Sequence, residues 1–135
     1  MSAQTTGGDI AARALTQIGT PFRLHGRRPG EALDCVGLVG FAIQANNPVP
    51  LDYSLRGCFE KQVAAYFAAA GFAQCSAAFL DGDIVAVQAA PRQLHLMISA
   101  QNGFVHAHAG LSKIVLTPGP PVWAVIGHWR IKLAY

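Results

Sequence analysis

The chain has 135 residues, 52% of them apolar and only 13% charged, which excludes extended disorder and provides for one packed domain over residues 1–135. A net charge of +3 without a long basic run gives no footing for nucleic-acid binding, and no apolar run is long enough for membrane insertion. Cys35, Cys58 and Cys75 make an odd count with no C-x-x-C spacing, against both a disulfide framework and a zinc ribbon.

Met1 to Asp9 lacks the basic and apolar regions of a signal peptide, so synthesis in the cytoplasm with reduced thiols is expected. Asp9 is the expected cap of a first helix running through Ile18, with Ile10, Ala14, Leu15 and Ile18 on one face and Gly19 and Pro21 ending it. A loop from Gly26 to Gly30 follows, with Arg23, Arg27 and Arg28 crowded around it; such a cluster suits either a solvated loop or an anionic ligand. Asp34 then caps a helix from Cys35 to Ala45, on which Cys35, Leu38, Val39 and Ala42 share a stripe. Gly37 and Gly40 weaken that helix, each by about 1 kcal/mol relative to alanine, so something is expected to pack close against it.

Pro48 and Pro50 stop the second helix, and a third is expected from about Cys58 to Ala70, with Phe59, Val63, Tyr66 and Phe67 inward and Gly71 as its stop. Beyond it the period changes. Asp81-Gly82 signals a turn, Asp83 to Val87 a strand, Leu94 to Ala100 and Gly103 to Ala109 a hairpin about Asn102-Gly103, and Lys113 to Leu116 another strand. Pro118 to Pro121 breaks the sheet before a final element, Ile126 to Leu133. N-terminal helices followed by antiparallel strands predict an α+β domain, helices packed on a small antiparallel sheet.

The chemistry centres on Cys35. A thiol in the first turn of a helix feels the positive end of the dipole, which favours the nucleophilic thiolate. Cysteine catalysis also needs a base, and among His25, His95, His106, His108 and His128 the hairpin carries three. With Asn102-Gly103 central in the turn, Ser99 faces His106, and alternation puts His95, Met97, Ser99, His106 and His108 on one face. A helix N-terminus docked there would complete a Cys-His-His arrangement; periodicity does not decide whether His106 or His108 orients His95, and in this register His108 is the nearer. Against this stand plainer readings: a buried packing cysteine with polar strand histidines, or a zinc site built from Cys35, His95, His106 and His108. Cys58 and Cys75 read as packing or surface thiols.

Five segments in order resemble the NlpC family of bacterial cell-wall cysteine peptidases. Ile18-Gly19-Thr20-Pro21-Phe22-Arg23 is similar to the lead-in I-G-x-P-Y-x, and Asp34-Cys35-Val36-Gly37-Leu38-Val39 to D-C-S-G-L-V. Asp81-Gly82-Asp83-Ile84-Val85 resembles P-G-D-L-V, His95-Leu96-Met97-Ile98 resembles H-V-G-I, and Asn102-Gly103-Phe104-Val105-His106-Ala107 resembles N-G-x-x-I-H-A.

The resemblance implies a papain-like α+β fold and a hydrolase of peptidoglycan stem peptides, cutting the D-γ-glutamyl to diamino-acid bond without metal or organic cofactor. It implies Cys35 as nucleophile, His95 as base and His106, rather than His108, as the orienting residue. Phe22, Arg23, Asp34 and His108 are the candidate substrate contacts, with helix capping the plainer role for Asp34. The closing Trp123…Trp129-Arg130-Ile131 looks most like the phage-tail and gene-transfer-agent branch, implying delivery to the wall within a virion-like particle. Val36 for serine, Phe22 for tyrosine, and Leu24-His25 for tryptophan and glycine depart from the pattern around the pocket. They leave room for a weakly active wall-binding component or for acyl transfer in place of hydrolysis.

Overall fold

The computed structural model describes residues 5–44, 60–91 and 93–132. Helix α1 spans Gly7–Leu15 and begins before the expected cap. Thr6 holds that position: its hydroxyl accepts from the Asp9 amide at 3.1 Å while the Asp9 carboxylate accepts from the Thr6 amide at 3.0 Å. Asp9 is thus the reciprocal member of a capping box. Ile10, Ala11 and Ala14 are buried, whereas Ile18, expected on the same stripe, lies past the helix end and is exposed.

The loop after Gly26 holds a short antiparallel ribbon, β1 (Arg27–Arg28) with β2 (Ala32–Leu33), that the glycines and proline concealed. It delivers Asp34 to the start of α2 (Cys35–Ile43), where the Asp34 carboxylate accepts from the Gly37 amide at 2.7 Å. Gln44 closes α2 in a left-handed conformation, φ 53°, earlier than the expected Ala45. Ala45, Pro48 and Pro50 lie outside the described residues. Val36, Gly37, Leu38, Val39 and Ala42 are all buried, so α2 is enclosed on more than the one expected stripe.

The close neighbour anticipated from Gly37 is the loop carrying Gly26. A Cβ at residue 37 would strike the Gly26 carbonyl oxygen. Gly37→Ala should therefore lower stability by ~1–2 kcal/mol in urea unfolding, because overpacking against rigid backbone exceeds the gain in helix propensity. An unchanged midpoint would show that the loop yields.

Helix α3 spans Glu60–Ala69; the expected start at Cys58 and Phe59 falls outside the described residues. It buries Val63 and Phe67, and the Phe67 ring stacks on Trp129 at 5.0 Å and meets Phe72 edge-on at 5.5 Å.

Six strands follow: β3 (Phe72–Gln74), β4 (Ile84–Ala90), β5 (Gln93–Ala100), β6 (Gly103–His108), β7 (Lys113–Pro118) and β8 (Ala124–Ile131). They form one sheet in the order β3-β8-β4-β5-β6-β7, every neighbouring pair antiparallel. Strand β3 was not anticipated, and β8 starts two residues before Ile126. Strand alternation sorts the sheet into two faces. Ile84, Ala86, Leu94, Leu96, Ile98 and Val105 join the helices in the main core, while Val85, Val87, Met97 and Phe104 form a smaller cluster beneath Trp123 on the other face.

The hairpin turn is centred one residue earlier than expected, which shifts the pairing by two residues and keeps the faces. Ala100 pairs with Gly103 and Ser99 with Phe104, which makes Gln101 and Asn102 the central turn residues. Both have positive φ, 50° and 60°, as a type I′ turn requires. Gly103 serves packing instead: a Cβ there would run into the carbonyl of Thr117 on β7. The shift moves both strands together, so His95, His106 and His108 still share a face.

The β5–β6 ladder ends at Ile98 and Val105, although β5 extends back to Gln93 and β6 forward to His108. The strands splay, and α2 packs against both of them.

Candidate active site

The splay is where the candidate residues gather. Cys35, in the first turn of α2, places its sulfur against the backbone N–H of Leu96, the residue after His95, and also near the amide of Val36. One residue before Leu96, His95 Nε2 shares a hydrogen bond of 2.9 Å with His106 Nδ1, their rings edge to face with centroids 5.1 Å apart. His106 Nε2 is in turn 2.8 Å from Thr117 Oγ1. Trp123 lies edge-on to both imidazoles, at 5.8 Å from His95 and 6.1 Å from His106.

Of the two histidines that strand spacing left open, it is His106 that hydrogen-bonds His95. His108 accepts from the Leu111 amide through Nδ1 at 3.0 Å, and its ring stands 5.9 Å from His106. In the tautomer that carries its proton on Nε2, His95 donates to His106 and its Nδ1 is the nitrogen that can take a proton. Among the described residues no hydrogen bond joins Cys35 to His95 directly.

Electrostatically the site is neutral at rest, contrary to the thiolate expected from the helix dipole. Burial pushes the Cys35 thiol up to about 11; the charge of Asp34 adds to this, and the Leu96 amide and Arg27 only partly offset it. Burial likewise pushes His95 down to about 4, helped by the charges that His106 and His108 would carry. His106 is also held down to about 4, by burial and then by His108. Desolvation outweighs the dipole because the helix end offers only a partial charge while the thiolate loses its water.

The expected substrate contacts separate. The Asp34 carboxylate is buried and spent within the chain, accepting from the amides of Gly37 and His25 and from the Arg27 guanidinium at 2.7 Å. Capping is the role this shows for it. Phe22 leans on the main core and its amide donates to the Ser112 carbonyl at 2.8 Å, while Arg23 is exposed. The zinc reading is not supported: the His95 and His106 nitrogens point at each other, and no cluster among the described residues is arranged to hold a metal.

Two residues with structural weight escaped the sequence reading. Asp83, at the mouth of β4, is buried and accepts from His128 at 2.6 Å and from both Nε and Nη2 of Arg130, at 2.9 and 2.8 Å. Burial alone would raise its pKa, but the bonds from Arg130, the Leu80 amide and His128 hold it below the usual value. Thr117 is the other. It lies opposite Phe104 in the β6–β7 ladder, hence on the histidine face and diagonal to His106. A groove of about 330 Å³ beside Cys75 and His128 lies along β3 and β8 and includes none of the splay residues.

The same architecture occurs in solved structures. The chain is similar over 96% of its length to NlpC1 of Trichomonas vaginalis, at 18% identity and TM-score 0.66, covering 46% of that chain. NlpC2 of the same organism matches over 96% at 17% identity and TM-score 0.65, with 48% of that chain covered. A chain of the type VI effector–immunity complex Tae3–Tai3 from Ralstonia pickettii matches over 95% at 20% identity and TM-score 0.59, covered in full. This chain thus spans about half the length of the two Trichomonas proteins. No family model and no curated protein matches it. The fold, three helices against an antiparallel sheet with its hairpin parted at the N-terminus of α2, is the papain-like α+β fold of NlpC proteins.

Proposed function

We propose that this chain is a single-domain peptidoglycan stem-peptide hydrolase with a cysteine nucleophile, acting at the D-γ-glutamyl to diamino-acid bond. The observation that carries the proposal is the His95–His106 hydrogen bond, which engages His95 Nε2 and, in the tautomer protonated there, leaves Nδ1 as base. Cys35 attacks the scissile carbonyl as Nδ1 takes the thiol proton, and the imidazolium then returns that proton to the leaving amine. Water, activated by the same nitrogen, releases the acyl group. The Cys35 amide lies in the first turn of α2, where backbone donors lack helical acceptors, and serves the oxyanion. The reaction as written uses no metal or organic cofactor.

The test is mass spectrometry of defined stem peptides incubated with wild type and with His108→Ala. We expect two fragments separated at the γ-glutamyl bond, with His108→Ala keeping at least roughly half the wild-type rate because its ring serves the Leu111 turn. Stoichiometric binding without fragments would instead mark a wall-binding component, and masses showing an added amine would mark acyl transfer. Delivery to the wall by a phage-tail or gene-transfer-agent particle belongs to the same proposal, supported by the resemblance around Trp123 and Trp129-Arg130-Ile131. A chain missing from purified particles would remove that part.

A further inference from the structure

The Cys35–His95–His106 series does not end at His106. We infer that Thr117 is a positioning residue whose hydroxyl makes available to the two imidazoles the tautomeric arrangement able to accept the thiol proton. The inference rests on the proposed hydrolase and on the contact of 2.8 Å between His106 Nε2 and Thr117 Oγ1.

Two neutral histidines sharing one hydrogen bond have two arrangements. In the first, His95 carries its proton on Nε2 and donates to His106 Nδ1, which obliges His106 to carry its own proton on Nε2. In the second, His106 donates from Nδ1 to His95 Nε2, His95 then bears its proton on Nδ1, and the base is blocked. Only the first leaves Nδ1 free, and it requires an acceptor for the His106 Nε2–H.

Thr117 Oγ1 can accept that bond; a hydroxyl can also donate to a bare Nε2 in the second arrangement, but without it the Nε2–H of the first would be an unpaired donor on a buried ring. When His95 becomes the imidazolium, His106 keeps accepting at Nδ1 and donating at Nε2, so the hydroxyl also steadies the charged form without taking a proton. The requirement explains why a polar residue faces the sheet here, diagonal to His106 and opposite Phe104.

The test uses Thr117→Val, which keeps the shape and removes the acceptor, and Thr117→Ser, which keeps it. Nitrogen-15 spectra of the histidine rings, taken without substrate near neutral pH, report the tautomers. Wild type and Thr117→Ser should show both rings protonated on Nε2. Thr117→Val should move both toward Nδ1 protonation and lower kcat on the order of tenfold with little change in KM. Unchanged tautomers in Thr117→Val, or a loss of kcat that serine does not restore, would overturn the role of Thr117. A wild type with the expected tautomers that cuts no stem peptide would overturn the hydrolase reading instead, since the spectra need no turnover.

Discussion

Cys35→Ala is expected to abolish cleavage of stem peptides, and His95→Ala to lower kcat/KM by at least ~10³-fold, with both variants folded as wild type by circular dichroism. The expectation follows from what each group supplies in the proposed mechanism. Alanine at 35 leaves no nucleophile, while the oxyanion donor and the binding surface remain. Alanine at 95 leaves a thiol pushed up to about 11, too weakly ionised near neutrality to attack unaided.

The pH dependence carries the same logic with a definite sign. His95 acts only when neutral, so activity should rise with pH through its depressed value, about 4, and already be near its plateau at pH 6.5. A limb centred at 6.5 or above would mean that the pair is solvated rather than buried. Retention of full activity by Cys35→Ala would end the cysteine mechanism outright.

The largest effect on stability is expected at Asp83. Asp83→Ala removes the shared acceptor of His128 and Arg130, two residues of β8 that the carboxylate ties to the start of β4. Breaking a buried pair typically costs about 3–5 kcal/mol, and because the Arg130 side chain is 31% exposed, a loss near ~3 kcal/mol is expected. Urea unfolding measures it directly. A loss below ~1 kcal/mol would show that the two donors find water without disturbing the strand ends. Cleavage by the surviving folded fraction should stay close to wild type, since this cluster is separate from the splay.

How far these features could be read from the chain depends on whether their cause was local. Asp34 before Cys35 is a cap one residue from its helix, and the structure bears it out. Asp9 was displaced from its cap only because Thr6 offered a reciprocal partner three residues earlier. The hairpin register slipped because Gln101 accepts a positive φ while Gly103 is needed for close approach to β7, a tertiary demand that a turn dipeptide does not announce. Parity survived the slip, so the shared face of His95 and His106 was legible even though the pairing was not.

What stayed hidden lay across long stretches of sequence. Asp83 reaches His128 45 residues away, and Thr117 meets His106 only through the pairing of β6 with β7. The family resemblance separated His106 from His108 where periodicity could not. The raised thiol value was missed because the helix dipole is visible in sequence and burial is not.

The parted hairpin sets sheet stability against chemistry. If the ladder continued one step, Met97 would pair with His106, and the backbone of β6 would occupy the space into which the thiol reaches. With a second step Leu96 would stand opposite Ala107, and the Leu96 N–H would answer that strand carbonyl instead of sulfur. The position of the Cys35 thiol is therefore defined by the point at which two strands stop pairing. Substitutions that tighten this hairpin should make a steadier fold and, on the proposed function, slow cleavage.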